Sequence, residues 1–104
     1  MVKRGDVYWC DLPDEGRRPA LILTRSEAIP VLNRVLVAPI TRTIRGIPTE
    51  VRFDVADGMP AECVATLDNV RQIPRALLSE PIATLSGPRM HEVCRALAIA
   101  AGCD

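Results

Sequence analysis

The sequence predicts a mainly β fold with α, a small barrel followed by one C-terminal helix, and three observations carry the prediction. Short alternating or apolar stretches recur from residue 6 to residue 73, each bounded by a turn signal. Gly and Pro fall between these stretches, as in "PDEG" and "ADGMP". Only after Ser86 does the apolar spacing become that of a helix.

Taken in order, "DVYWCDL" (Asp6 to Leu12) sets Val7, Trp9 and Asp11 on one face and Tyr8, Cys10 and Leu12 on the other, the alternation of a strand. "PDEG" (Pro13 to Gly16) turns the chain, and "PALILT" (Pro19 to Thr24) is a short strand buried on both faces, so the two form a hairpin. A helical turn around Ser26 to Ile29 precedes a third strand, "RVLVAPI" (Arg34 to Ile40), in which Pro39 is restricted to an end or an edge. "TRTIRGIP" (Thr41 to Pro48) is an exposed, basic loop. "TEVRFDV" (Thr49 to Val55), "ECVATL" (Glu62 to Leu67) and "NVRQI" (Asn69 to Ile73) complete five or six strands, a pattern that favours a small barrel over an open sheet. Ser86, Gly87 and Pro88 start the helix, Met90, Val93, Cys94, Leu97 and Ala101 form its apolar stripe, and Gly102 caps it. His91 falls off that stripe and is read as a solvated surface residue.

The 104 residues make one domain, 1–104, long enough to bury a core, at a size often completed by a partner subunit. The basic start "MVKRGDVYWC" lacks the apolar run of a signal peptide, and nothing approaches the roughly 18 apolar residues of a membrane span. The chain therefore reads as cytoplasmic, with no membrane partner. Cys10, Cys63, Cys94 and Cys103 are scattered, and His91 is the only histidine, so no metal site and no cofactor are expected. The thiols are read as buried or inert.

Net charge is zero, which removes a global electrostatic case for nucleic acid. The distribution says more: 12 of the 13 basic residues are Arg, with Arg17, Arg18, Arg25, Arg34, Arg42 and Arg45 close together. A GC-rich genome raises Arg content, and Arg is also the side chain that grips phosphate through a planar fork. In "GRRPALIL" two arginines stand at the threshold of a buried strand. Either their side chains wrap the barrel rim or they form a platform for phosphate.

Several motifs then agree in order and spacing: "RGDVYW" (Arg4 to Trp9), "GRRP" before an apolar strand, "PIT" (Pro39 to Thr41), "LDNVRQI" (Leu67 to Ile73) and the single C-terminal helix. In these the chain resembles the MazF/PemK/Kid family of toxin endoribonucleases over essentially its full length. The resemblance implies an SH3-like barrel, a homodimer, cleavage of single-stranded RNA, and a cognate antitoxin of a type II toxin–antitoxin system. It matches Arg18 and Thr41 to the family's catalytic Arg and Thr, and Asp68 to an acidic position near the scissile phosphate in some members. Arg17, Arg42, Arg45, Asn69 and Arg71 are the accompanying RNA-binding candidates. For Thr41 the alternative is a loop residue capping its own backbone. Asn69 and Arg71 either read a base edge or organise a turn.

A ribonuclease working without metal uses the neighbouring 2′-hydroxyl as nucleophile and leaves a 2′,3′-cyclic phosphate and a 5′-hydroxyl. It must hold the phosphate, stabilise the phosphorane, and move two protons. Many members carry an additional Glu a few residues before the catalytic Arg, where this chain has only "PDEG", and some have an Arg where Thr66 stands. Glu15 is not matched to that family Glu, Asp68 is matched as base or orienter, and the identity of the general base and acid is left open. The rival reading is a gyrase-binding toxin of the same fold, like CcdB, which acts through a Trp-Gly-Ile ending; this chain ends "AGCD".

Overall fold

The computed structural model describes residues 1–103. Seven strands and one helix follow in the order β1 (Asp6–Leu12), β2 (Gly16–Ile22), β3 (Arg34–Thr41), β4 (Glu50–Phe53), β5 (Cys63–Thr66), β6 (Arg71–Pro74), β7 (Leu78–Thr84) and α1 (Gly87–Ala101). The curved sheet runs β4-β5-β3-β2-β1-β7, with β6 also paired to β3, and forms a half-barrel. All the pairings are antiparallel.

The hairpin expected at "PDEG" is present. Asp14 and Gly16 both take positive φ, 67° and 80°, which tightens the turn between β1 and β2. β2 starts at Gly16, three residues before the start read from Pro19, so both arginines of "GRRP" are strand residues. Their side chains consequently alternate across the sheet.

β7 has no counterpart in the sequence reading. Pro81 interrupts its pattern, and the strand tolerates it because β7 lies at an edge and shifts register twice against β1. Pro39 lies two residues before the end of β3. Its carbonyl accepts from Thr66 Oγ1, between the last β6 partner, Arg71 opposite Val37, and the first β5 partner, Ala65 opposite Ile40. Pro39 is nonetheless paired with Ala20 of β2, so it lies neither at the end of β3 nor at an edge as expected, and it is tolerated where β3 changes from β6 to β5 and neither strand has a partner opposite it.

Two cores lie on the two faces of the sheet. Val7, Leu21, Ala38, Ile40, Phe53, Ala65 and Leu67 pack with Val93 and Ala96 of α1. Cys10, Ala20, Ile22, Val35, Val37 and Ile73 form the second. Full burial of side chains such as Phe53, Leu21 and Ile22 stabilises by about 1.5–3 kcal/mol each.

α1 begins at Ser86, whose hydroxyl accepts from the Arg89 amide, and ends at Gly102 with φ 73°. Its buried stripe is Val93 and Ala96 with Met90, Leu97 and Ala100 partly buried, whereas Cys94 and Ala101 of the expected stripe are exposed. Cys94 is one step around the helix from Val93, and Ala100 rather than Ala101 lies seven residues beyond it. Arg89 fastens the helix to the far edge: it contacts the Asp57 carboxylate at 2.9 and 3.1 Å, Glu92 at 2.8 Å, the Arg52 carbonyl, and the Phe53 ring at 5.0 Å. The N-terminus is tied to β7 by buried Asp6, which accepts from Lys3 and Thr84.

Candidate active site

β2 stays paired with β1 down to Gly16 but parts from β3 after Ala20 opposite Pro39. Continuing that register by one pleat brings Arg18 to the level of Thr41. The parting opens a cleft of about 650 Å³, whose lining includes Arg18, Thr41, Arg42, Arg71 and Glu15 over Cys10, Ala20, Val37 and Ile73. The lining also takes in Trp9 and Arg17 from the other face of the sheet and Ile40, Met59 and Cys63 of the first core. Arg18, Thr41 and Arg71 share the face of the second core, since Ala20, Pro39 and Val37 are their pleat neighbours or cross-strand partners.

The two arginines are treated differently. Arg17 lies over the Trp9 ring at 4.9 Å from its centroid and contacts Glu80 at 3.3 Å. Arg18, on the opposite face, has no ion pair or hydrogen-bond partner among the described residues. Arg17 is a rim clamp, as one of the two readings of "GRRP" expects, and Arg18 is a guanidinium open on the cleft.

Thr41 ends β3 half-buried, and its Oγ1 accepts from the Thr43 amide at 3.2 Å. The backbone cap and a catalytic hydroxyl are compatible: that bond uses a lone pair and leaves the hydroxyl proton free to donate. Arg71 is bound through Nη1 to both oxygens of Glu15 at 3.0 Å. Glu15 is the one carboxylate on the cleft lining among the described residues. Burial, and secondarily the Asp11 charge, pushes the Cys10 thiol up to about 11, so the floor thiol is protonated at neutral pH.

Asp68 and Asn69 stand outside this lining on a single 3₁₀ turn, Leu67–Asn69. The Asp68 carboxylate accepts from Thr49 Oγ1 at 2.5 Å. Arg45 is also outside, on the exposed loop between β3 and β4. His91 is exposed on α1. No group of three or more potential metal ligands occurs among the described residues, and no helix among them is long and apolar enough to cross a membrane. Sequence reasoning missed Trp9 as the seat for Arg17, and Glu50, which binds the loop amides of Arg45 and Gly46. The aromatic in "RGDVYW" and an acid just after a basic loop were the only signals for them.

Residues 3–101 match the family model described as the PemK-like, MazF-like toxin of type II toxin–antitoxin system. A "Probable endoribonuclease MazF5" of Mycobacterium tuberculosis is 42% identical over 105 residues, covering 100% of this chain and 96% of that protein. The solved structure of "Mycobacterium tuberculosis toxin MazF-mt6" superposes with TM-score 0.88 at 35% identity, covering 95% of this chain and 98% of the other. An "Endoribonuclease in complex with its cognate antitoxin from Mycobacterial species" also reaches 0.88, at 28% identity and with 100% and 98% covered.

Proposed function

The chain belongs to the PemK-like, MazF-like toxin family, and on that premise we propose that it is a metal-independent endoribonuclease, the toxin of a type II toxin–antitoxin pair acting in the cytoplasm. Its substrate is single-stranded RNA, cut at a preferred sequence, with arrest of translation and growth as the consequence. The observation that carries this reading is Arg18, without an ion-pair partner among the described residues, at the level of Thr41 in a cleft with an apolar floor.

The reaction follows from what the cleft holds. The 2′-hydroxyl oxygen attacks the adjacent phosphorus; the O2′–P bond forms, the P–O5′ bond breaks, and the proton lost from O2′ is balanced by one delivered to O5′. Arg18 spans two phosphate oxygens with its fork, and Thr41 donates its hydroxyl to the growing negative charge. Arg18 acts as a charge stabiliser rather than an acid, since a guanidinium offers donors and proteins do not deprotonate it. Glu15, on the lining and oriented by Arg71, is the carboxylate within the cleft to receive the 2′-hydroxyl proton. Asp68 acts indirectly, through Thr49 and the loop it ends. Arg17, Arg42, Arg45, Asn69 and Arg71 surround these groups as RNA contacts.

The working form is a homodimer, a reading supported by family membership. Related toxin has been solved with its cognate antitoxin, and we assign this chain an antitoxin partner of the same kind. Incubation with RNA in EDTA tests the reading: cleavage should persist and leave cyclic phosphate and 5′-hydroxyl ends. Ends bearing 5′-phosphate, or loss of cleavage on chelation, would replace it with a metal-activated water.

A further inference from the structure

The loop between Thr41 and Glu50 carries two exposed arginines, Arg42 and Arg45, whose side chains have no counter-charge among the described residues. An isolated stretch of this kind would lose much conformational entropy on binding a flexible strand. Here it is already tied down. Glu50, the first residue of β4, accepts through one oxygen, Oε1, from the consecutive amides of Arg45 and Gly46, each at 3.0 Å. Gly46 has φ 72°, the left-handed conformation that lets the two amides converge, and an added Cβ there would meet nothing within 4 Å. Two consecutive amides facing one anion form a nest; this nest is filled by the chain's own carboxylate. The second oxygen, Oε2, is shielded from solvent and has no partner among the described residues. The Glu50 amide closes the turn onto the Ile47 carbonyl at 3.0 Å, and Thr49 is held by Asp68 and by the Leu67 amide.

We propose that Glu50 is a positioning residue for RNA: by filling the Arg45–Gly46 nest it preorganises the loop so that Arg42 and Arg45 meet the phosphate backbone without an ordering cost. The proposal rests on the ribonuclease reading for its ligand, yet concerns a residue outside the cleft. Glu50 never touches RNA, and its carboxylate opposes RNA charge, so a purely electrostatic account expects its removal to strengthen binding. Loop positioning has the opposite sign.

The test measures binding of a labelled, single-stranded 2′-O-methyl oligoribonucleotide of mixed sequence, which cannot be cleaved by 2′-oxygen attack, by fluorescence anisotropy over a range of salt. Glu50→Ala should weaken binding about tenfold and reduce the salt slope by about 0.7 for a lost phosphate contact. Glu50→Gln, which keeps an acceptor oxygen, should stay within about twofold. Gly46→Val, which disturbs only the loop backbone, should reproduce Glu50→Ala even if that variant folds poorly. The double variant Arg45→Ala/Glu50→Ala should bind no more weakly than the weaker single variant. Wild-type affinity in folded Glu50→Ala and in Gly46→Val, or fully additive losses, overturns the proposal and leaves the ribonuclease reading intact. Binding without cleavage of ordinary RNA by the wild type sinks that reading while the loop proposal is decided on affinities; no binding by the wild type overturns both.

Discussion

Arg17 and Arg18 are neighbours in sequence and lie on opposite faces of β2: Arg17 is seated on Trp9 against Glu80, and Arg18 opens onto the cleft with no counter-charge among the described residues. Their substitutions should therefore separate. Arg18→Ala removes the charge proposed to meet the phosphate and should lower the single-turnover rate about 10²- to 10³-fold. Its stability should change by no more than about 0.5 kcal/mol, because the side chain is exposed and unpaired. Arg17→Ala should reduce cleavage less than about tenfold, since the pair it breaks is exposed. An inactive Arg17→Ala beside an active Arg18→Ala would move the site to the other face.

Thr41 is argued to act through its hydroxyl proton, the lone pair being used by the Thr43 amide. Thr41→Ser keeps both functions and should retain cleavage within about fivefold, whereas Thr41→Val, equal in shape, should lose about 10²-fold in rate. RNA affinity should barely change in either variant. A fully active Thr41→Val would reduce Thr41 to a backbone cap.

Glu15 and Asp68 make a second contrast. Glu15→Gln should depress the chemical rate about 10²-fold with little change in RNA affinity, because the proposed acceptor of the 2′-hydroxyl proton is gone. Asp68→Asn should mainly raise KM, by roughly threefold to tenfold, because it loosens the Thr49 anchor without removing a cleft group. The reverse split, with rate lost only in Asp68→Asn, would give Asp68 the proton-transfer role that its sequence position suggested.

The difference between those two carboxylates shows where the sequence was legible. β1, β3 and α1 follow from local alternation, helical period, and caps at Ser86 and Gly102, which are properties of neighbouring residues. β7 does not, because Pro81 is acceptable only at a sheet edge, and edges are set by topology. As candidates, Arg18 and Thr41 were readable because each lies in a short motif. Their approach depends on β2 and β3 parting after Ala20 and Pro39, and the pairing of Glu15 with Arg71 spans 56 residues. Periodicity carries no information at that range.

The clamp between Arg89 and Asp57 yields a pH prediction for stability. Burial pushes the Asp57 carboxyl up, but hydrogen bonds from Arg89 and the Asp54 amide, with the Arg89 charge, outweigh it and hold the group below the ordinary carboxylate value. A depressed folded-state pKa contributes stability that is present above the unfolded-state value and lost as pH falls through the folded one. Asp57→Asn should cost about 1.5–3 kcal/mol at pH 7, and its deficit against wild type should shrink below about pH 4. Urea titrations at pH 7 and pH 3 measure this; a deficit that does not shrink would mean packing, not charge, holds the helix.

The last prediction concerns the partner. Of the arginines on the cleft lining, Arg17 is paired with Glu80 and Arg71 with Glu15, while Arg18 and Arg42 have no ion-pair partner among the described residues, so the rim carries a local positive excess although the whole chain is neutral. An acidic, disordered antitoxin segment suits such a rim, because it can fold along the cleft and present carboxylates where RNA presents phosphates. Such a segment would inhibit by occupation, so its effect should be competitive with the 2′-O-methyl oligoribonucleotide. Arg18→Ala should weaken antitoxin binding about tenfold, while Arg75→Ala, whose guanidinium is engaged with the Ile29 carbonyl, should leave it unchanged at equal fold stability. Light scattering should report two copies of the free protein, and a strict monomer would reject the dimer. Calorimetric titration of the cognate antitoxin decides the rest: unchanged affinity for Arg18→Ala, or simultaneous binding of RNA and antitoxin, would place the inhibitor elsewhere on the toxin.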